Sequence, residues 1–495
     1  MSRLGDSARD RTGSMHCFGD DALGFADAVG VAQAIRAGVV SREEVVEAGI
    51  ARVERIEPHL HAVQVSCFGR ARSEGTTAGP FSGVPSLVKD DTDVCGLPTG
   101  HGSAAFAPRL ARRDAAPARQ FLAQGFALLG KSKLPEFGLT ASTEYADRVP
   151  TCNPWSTEHS AGGSSGGAGA LVACGAVPIS HGNDGGGSIR IPAAVNGLVG
   201  MKMTRCRLLD QAGVRQAPVN FVSEGVLTRS VRDTVHYLAA AERYHAHPKL
   251  EPVGLVEGPA AERLRIGLIA QDAFGRPVHP ETDAVLRSAA ATLAGQGRQL
   301  IEVRLGVTPQ FVEDFKLYWA FTAVVMCGLM AASHRAGFHR EHLDPFTRGL
   351  ARLFGRNAAG LIPAIRRLHV GTQIYDAHFA NVDVLLTPVL AHPAPKIGEH
   401  APDQPFETLL AKLIDYVAFT PINNIGGGPA IALPHGMMAS GLPGSIQLSA
   451  PRGGERTLLE LAYELEATSP FAQITTASHR RPITPTPHET QQRSA

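Results

Sequence analysis

Apolar residues recur at helical spacing over residues 26–37 and again from Arg42, where Val45, Val46, Ile50, Val53 and Ile56 fall mostly on one face. Ser41 stands just before the second stretch and Glu44 three residues after it, the order of a capping box. Ser41 is therefore the expected N-cap, and Pro58 the expected stop, with the helix ending near Ile56. The two helices predict an N-terminal helical arm with no chemistry of its own. Downstream the pattern changes. Short apolar runs at 84–88, 126–129, 177–180, 265–269, 299–303, 382–388, 430–433 and 445–448 predict strands. Helical stretches at 114–124, 168–173, 280–294 and 457–465 lie between them. Strands alternating with helices predict an α/β layered core. Residues 317–332 carry no charge but fall short of the roughly 20 residues that a membrane span needs. They predict a helix buried in the core or lining a pocket, with Trp319 and Cys327 as core residues.

Residues 160–200 break this rhythm with glycine. Two Gly-Ser elbows stand there, Gly162-Gly163-Ser164-Ser165-Gly166-Gly167 and Asp184-Gly185-Gly186-Gly187-Ser188. Without a Cβ the backbone can turn sharply and approach a ligand. Consecutive glycines before a serine let several N–H groups converge on one point, as an oxyanion hole requires. A serine beside such donors is a candidate nucleophile. Asp184 and Arg190 are expected to brace the loop as an ion pair.

Composition adds bounds. At 495 residues the chain is long enough for two or three domains, and 44% hydrophobic residues supply a large core. The net charge of +1, from 47 basic and 46 acidic residues, argues against a nucleic-acid scaffold. Seven scattered cysteines with no C-x-x-C fit reduced thiols and a cytoplasmic protein. The polar N-terminus has no apolar h-region, so no signal peptide is expected. Residues 1–20 and 476–495 are expected to be disordered, flanking one domain over 21–475. The 20 histidines form no H-E-x-x-H or Cys/His metal spacing.

Two other motifs compete for attention. Gly125-Phe126-Ala127-Leu128-Leu129-Gly130-Lys131-Ser132 matches the phosphate-cradling G-x-x-x-x-G-K-S. A true P-loop follows a strand and opens a helix, whereas here the variable positions are themselves the strand and Pro135 and Gly138 follow. Gly162-Gly163-Ser164-Ser165-Gly166 also matches the G-x-S-x-G elbow of α/β-hydrolases, which would make Ser164 the nucleophile of a Ser-His-Asp triad. That reading leaves Lys89 and residues 184–188 without roles.

The two elbows, together with Gly83-Val84-Pro85-Ser86-Leu87-Val88-Lys89-Asp90 upstream, resemble the signature of the amidase signature family in order and spacing. The resemblance extends over about residues 22–472 and takes in Thr228-Arg229-Ser230-Val231-Arg232-Asp233 and residues 383–388 and 428–434. It implies one α/β fold, a mixed β-sheet core sandwiched by α-helices. It also implies a Ser–cis-Ser–Lys triad: Ser188 as nucleophile, Ser164 as relay on a cis Gly163–Ser164 peptide, Lys89 as base. The backbone N–H groups of Gly185, Gly186, Gly187 and Ser188 would hold the oxyanion. As a base Lys89 must be neutral, so the neighbouring Asp90, Asp91 and Asp93 are expected to point away from it. The implied activity is hydrolysis of a small-molecule carboxamide by a bacterial amidase. No metal or organic cofactor, nucleic acid or membrane is implied, and a homodimer is allowed. Gly185 replaces a common Thr, Ile or Ala and is expected to loosen the loop. Residues 181–184 and 419–421 resemble the branch of 6-aminohexanoate cyclic-dimer hydrolases, which points to an apolar or linear amide. Alternatives within reach are an amidotransferase subunit acting on misacylated tRNA with partner subunits, and the Ser-His-Asp hydrolase above.

Overall fold

The computed structural model describes residues 14–75, 78–260 and 263–475. The expected disordered tail 476–495, and residues 1–13, lie outside the described residues. Residues 14–20, expected to be disordered with them, are held: Met15 N–H donates to Pro154 O at 2.8 Å and Cys17 N–H to Cys174 O at 2.7 Å. Both side chains are buried. The apolar Met15 and Cys17 gain more from that burial than the polar stretch before them could.

An eight-stranded mixed sheet forms the centre. Its spatial order is Gln299–Glu302, Arg265–Leu268, Val384–Thr387, Pro443–Ser449, Ala430–Met437, Val199–Lys202, Ser223–Thr228, Ile179–Asp184. The first three strands run parallel and every later pair is antiparallel. Alternation along a strand sends successive residues to opposite faces. Ile431 and Leu433 thus enter one core, with the helices Ala28–Arg36, Val231–Tyr244, Pro280–Gly295 and Glu455–Thr468. Ala432 enters the other, with the helices Arg42–Leu60, Gly166–Ala173, Arg190–Asn196 and Phe406–Tyr416. This is the α/β architecture expected, a mixed sheet between helical layers.

A smaller sheet, Val63–Ser66, Ala127–Ser132, Pro85–Lys89 in spatial order, lies beside the edge strand Ile179–Asp184. Two buried serines stitch the seam: Ser86 Oγ donates to Ile179 O at 2.8 Å and Ser180 Oγ to Leu87 O at 3.2 Å. The seam carries Lys89 at the end of one strand and Asn183 and Asp184 at the end of the other.

The arm follows the expectation with one correction. Ser41 and Glu44 make the reciprocal capping box. The helix, however, runs through Pro58 to Leu60. A proline inside a helix costs about 3 kcal/mol. Here it lies on the solvent side of the last turn. Full burial of Leu60, worth about 1.5–3 kcal/mol, and the bonds from Ala62 and Val63 N–H to Glu57 Oε2 offset that cost. The arm docks through Asp27, the N-cap of the helix Ala28–Arg36: Ser230 Oγ and Arg232 Nε donate to Asp27 Oδ2, each at 2.6 Å.

The uncharged stretch 317–332 lies within the 26-residue helix Pro309–His334. It packs on the helices Pro345–Asn357 and Leu361–Ala377. By length and composition the helix could cross a membrane, yet Tyr318, Trp319, Thr322 and Met326 line a cavity. The pocket-lining expectation holds. Core burial holds for one face only: Ala320 and Ala323 are in the core, whereas Val325 and Leu329 are exposed. Trp319, expected in the core, packs against it on Phe346 with ring centroids 5.5 Å apart and also lines the cavity. Cys327 packs against the cluster of Ala105, Phe106 and Leu343.

Candidate active site

Ser164 precedes the helix Gly166–Ala173, and Ser188 lies in the loop between the strand Ile179–Asp184 and the helix Arg190–Asn196. The loops are tied together, because Ser165 N–H donates to Ser188 O at 3.2 Å. The Gly163–Ser164 peptide is cis. Only glycine fits at 163, where a Cβ would come within 2.8 Å of the Ala141 and Ser142 backbone. Ser164 Oγ lies 2.8 Å from Lys89 Nζ. Lys89 is fully buried, and that burial pulls its pKa below the ordinary lysine value. Asp91 is the largest influence in the other direction, followed by Glu224 and Asp184.

The acidic cluster does not all turn away. Asp90 does: it pairs with Lys131 at 2.8 Å. Asp91 does not: its Oδ2 lies 3.6 Å from Lys89 Nζ. The reason is Asn183, whose Nδ2 donates to Asp91 Oδ2 at 2.8 Å while its Oδ1 lies 2.7 Å from Lys89 Nζ. Burial would push the Asp91 carboxyl up, but Lys89 and Asn183 outweigh it and hold it below the usual value.

The second elbow wraps around Asp184 and Arg190, the expected ion pair, at 2.8 Å. Asp184 also accepts from the N–H groups of Gly187, Ile189 and Arg190 and from Asn424 Nδ2. Burial pushes Asp184 up, and Arg190 overcomes that to hold it well below the carboxylate range. The Gly187 N–H, expected to face an oxyanion, is thus committed to Asp184 Oδ1 at 2.8 Å. A carboxylate already in place attracts this donor, and the turn lets it reach. The N–H groups of Gly185, Gly186 and Ser188 have no acceptor among the described residues. Gly187 itself has φ +126, and a Cβ there would lie 2.5 Å from Thr420 Oγ1.

A cavity of about 310 Å³ opens over Ser164, Ser188, Gly185 and Gly186. Its walls are largely apolar, with Phe137, Phe221, Phe315, Trp319 and Ile414 among them, while Asp91, His101, Asn183 and Gln211 make one end polar. Ser188 is part-exposed to this space, whereas Ser164 is 2% exposed.

A family model described as Amidase matches residues 44–459. The chain belongs to the amidase signature family. It is a hydrolase acting on amides. It is 45% identical over 463 residues to the protein named AmiC in Mycobacterium leprae, covering 93% of this chain and 98% of that one. It is 32% identical over 476 residues to the 6-aminohexanoate-cyclic-dimer hydrolase of Paenarthrobacter ureafaciens, covering 90% and 95%. A solved structure of 6-aminohexanoate cyclic dimer hydrolase superposes with a TM-score of 0.84 at 30% identity, over 93% of this chain and 99% of that one.

The competing motifs of this amidase find other uses. The strand Ala127–Ser132 runs straight through Gly130-Lys131-Ser132, so no phosphate cradle forms. Lys131 Nζ bonds Thr99 Oγ1 at 2.7 Å and pairs with the fully buried Asp90. Lys131→Ala is expected to strand that carboxylate and cost about 3–5 kcal/mol, read as a lower urea midpoint, without creating or removing nucleotide affinity. Tight ATP binding lost in the variant would reinstate the P-loop. Ser164 has no histidine partner among the described residues. His181, buried on the strand Ile179–Asp184, faces Glu224 instead, at 3.1 Å.

Several contributors lay outside the sequence reading. Asn424 and Gln447 come from distant segments to fill the Arg190 fork. Thr420 Oγ1 donates to Gly186 O, so the 419–421 motif clamps the second elbow. At Gly185 a Cβ would meet Phe221 at 3.1 Å, so an aromatic wall fills the room that a larger residue would need. Asn183 carried a visible signal, its place directly before Asp184 in the second elbow.

Proposed function

We propose that this amidase hydrolyses amides of apolar carboxylic acids through an acyl-enzyme, with Ser188 as nucleophile, Ser164 as relay and Lys89 as base. The observation that carries the reading is the 2.8 Å approach of a fully buried lysine amine to Ser164 Oγ at the floor of an apolar cavity. Ser188 Oγ attacks the carbonyl carbon. Its proton passes to Ser164, whose own proton passes to the neutral Lys89 amine. The negative oxygen is held by the N–H groups of Gly185, Gly186 and Ser188, while the Gly187 N–H braces the loop through Asp184. Lys89 then returns a proton through Ser164 to the leaving nitrogen. The amine departs, an ester remains on Ser188, and water repeats the cycle to release the acid.

The walls set the substrate class. Each buried CH₂ is worth about 0.8 kcal/mol, roughly a factor of four in kcat/KM, for as long as the cavity has room. A series of linear amides of rising acyl length, with matched esters, should therefore climb from acetamide upward, with an acyl adduct visible by mass. Equal rates across the series would overturn the apolar assignment. Turnover without any adduct, even with slow esters, would overturn the acyl-enzyme.

A further inference from the structure

We propose that Asp91 and Asn183 act as a positioning pair that aims the Lys89 lone pair at Ser164, an inference that rests on the reading of Lys89 as the base. Asn183 Nδ2 donates to Asp91 Oδ2 at 2.8 Å. A carboxylate only accepts, so this contact decides which end of the carboxamide faces the lysine. The end that faces it is Oδ1, 2.7 Å from Nζ. An amide oxygen also only accepts, so Nζ places an N–H there. A neutral amine has two N–H bonds and one lone pair. Asp91 Oδ2, 3.6 Å away, is a second acceptor facing Nζ. With one hydrogen on Asn183 Oδ1 and the other turned toward the negative Asp91 carboxylate, the neutral amine keeps its lone pair for Ser164 Oγ 2.8 Å away, and a neutral amine there makes the Ser164 O–H the donor. Were the carboxamide turned over, Nδ2 would compete with Ser164 for that lone pair, and the relay would be blocked at its last step.

The same pair sets the charge around the lysine. Four groups bear on Lys89 and its partner from the packed elements. Glu224 is engaged by His181 at 3.1 Å, and Asp184 by Arg190 at 2.8 Å. His101 lines the cavity near Asp91, and His181 lies beneath the strand, its Nδ1 3.4 Å from Lys89 N. Asp91 is the carboxylate nearest Nζ and makes no other ion pair among the described residues. Its negative charge favours the ammonium, in opposition to burial. Removing it must therefore lower the Lys89 pKa further and move the acid limb of the pH profile to lower pH.

The test uses the purified full-length chain and an amide that it cleaves. Asp91→Ala removes both charge and acceptor: kcat should fall at least about tenfold with KM within about twofold, and the acid limb of kcat/KM should move down. Asp91→Asn keeps an acceptor for Asn183 but no charge, so it should recover part of kcat while the limb stays displaced. Asn183→Ala should lose kcat to a similar degree, and the double variant Asp91→Ala/Asn183→Ala no more than either alone, because the two act as a unit. An unmoved limb, a loss confined to KM, or additive losses would overturn the pairing. If Asp91→Ala does not fold, Asn183→Ala with unchanged kcat overturns it as well. These outcomes are separable from failure of the base assignment, which is read from Lys89 variants.

Discussion

Lys89→Ala should fold and lose at least about a hundredfold of its amide-hydrolysis rate. A lysine in water titrates near 10.4, so roughly one part in 2,500 is neutral at pH 7. Burial of Lys89 disfavours its ammonium and raises the working fraction, outweighing the opposing charge of Asp91 3.6 Å away. The wild-type rate must then fall in acid as Lys89 takes up a proton, which gives an acid limb. The variant has no such group and should lose the limb with the rate. General-base catalysis is typically worth 10²–10⁴-fold, which sets the lower bound. Esters should suffer less, because an alkoxide leaves with less help from a proton than an amine does. The fold should survive. The folded pKa lies below the unfolded one, so this group's contribution to stability is present above the unfolded pKa and is lost as pH falls through the folded one. At neutral pH alanine removes that penalty. Purified Lys89→Ala working at near wild-type rate on an amide would end the triad reading.

What the sequence made legible were the local devices. The capping box at Ser41, the two elbows and the seam strand ending at Lys89 are each written within eight residues, and each formed where expected. What escaped were contacts made across the chain. Asn424 and Gln447 meet Arg190 from more than 230 residues away, and no periodicity encodes that meeting. Asp91 was misjudged for a related reason. Electrostatics taken residue by residue said that a carboxylate beside a neutral lysine is unfavourable, which is correct for the pair alone. Asn183 changes the balance by tying the carboxylate into a hydrogen-bond chain. For the long apolar helix the sequence left core and pocket wall open, because lack of charge cannot tell one from the other; the helix serves both. Gly187 shows the same limit at smaller scale: its type fitted an oxyanion loop, but the direction of its N–H was decided by Asp184.

Ser188→Ala should abolish both turnover and covalent labelling, the larger of the two effects. Two serines stand at this site, and they differ in exposure and in partners. Ser164 is 2% exposed and its oxygen is engaged by Lys89, so it offers a substrate carbonyl less access than Ser188 does. Ser188 is part-exposed to the cavity and follows directly on the Gly185 and Gly186 N–H groups that have no internal acceptor. An oxyanion formed by attack from Ser188 would lie beside donors already in place, which is where electrostatic stabilisation is strongest. In serine hydrolases loss of the nucleophile costs up to about 10⁶-fold. A fluorophosphonate should add to the wild type at Ser188, with one adduct per chain by mass, and peptide mapping should place it within residues 184–190. Ser188→Ala should show neither adduct nor turnover. Ser164→Ala should slow labelling without moving it, because it removes the relay and leaves the nucleophile beside its donors. An adduct mapped to Ser164 in the wild type would make the first elbow the nucleophile, restore the α/β-hydrolase reading, and require a histidine to reach a hydroxyl that Lys89 now holds.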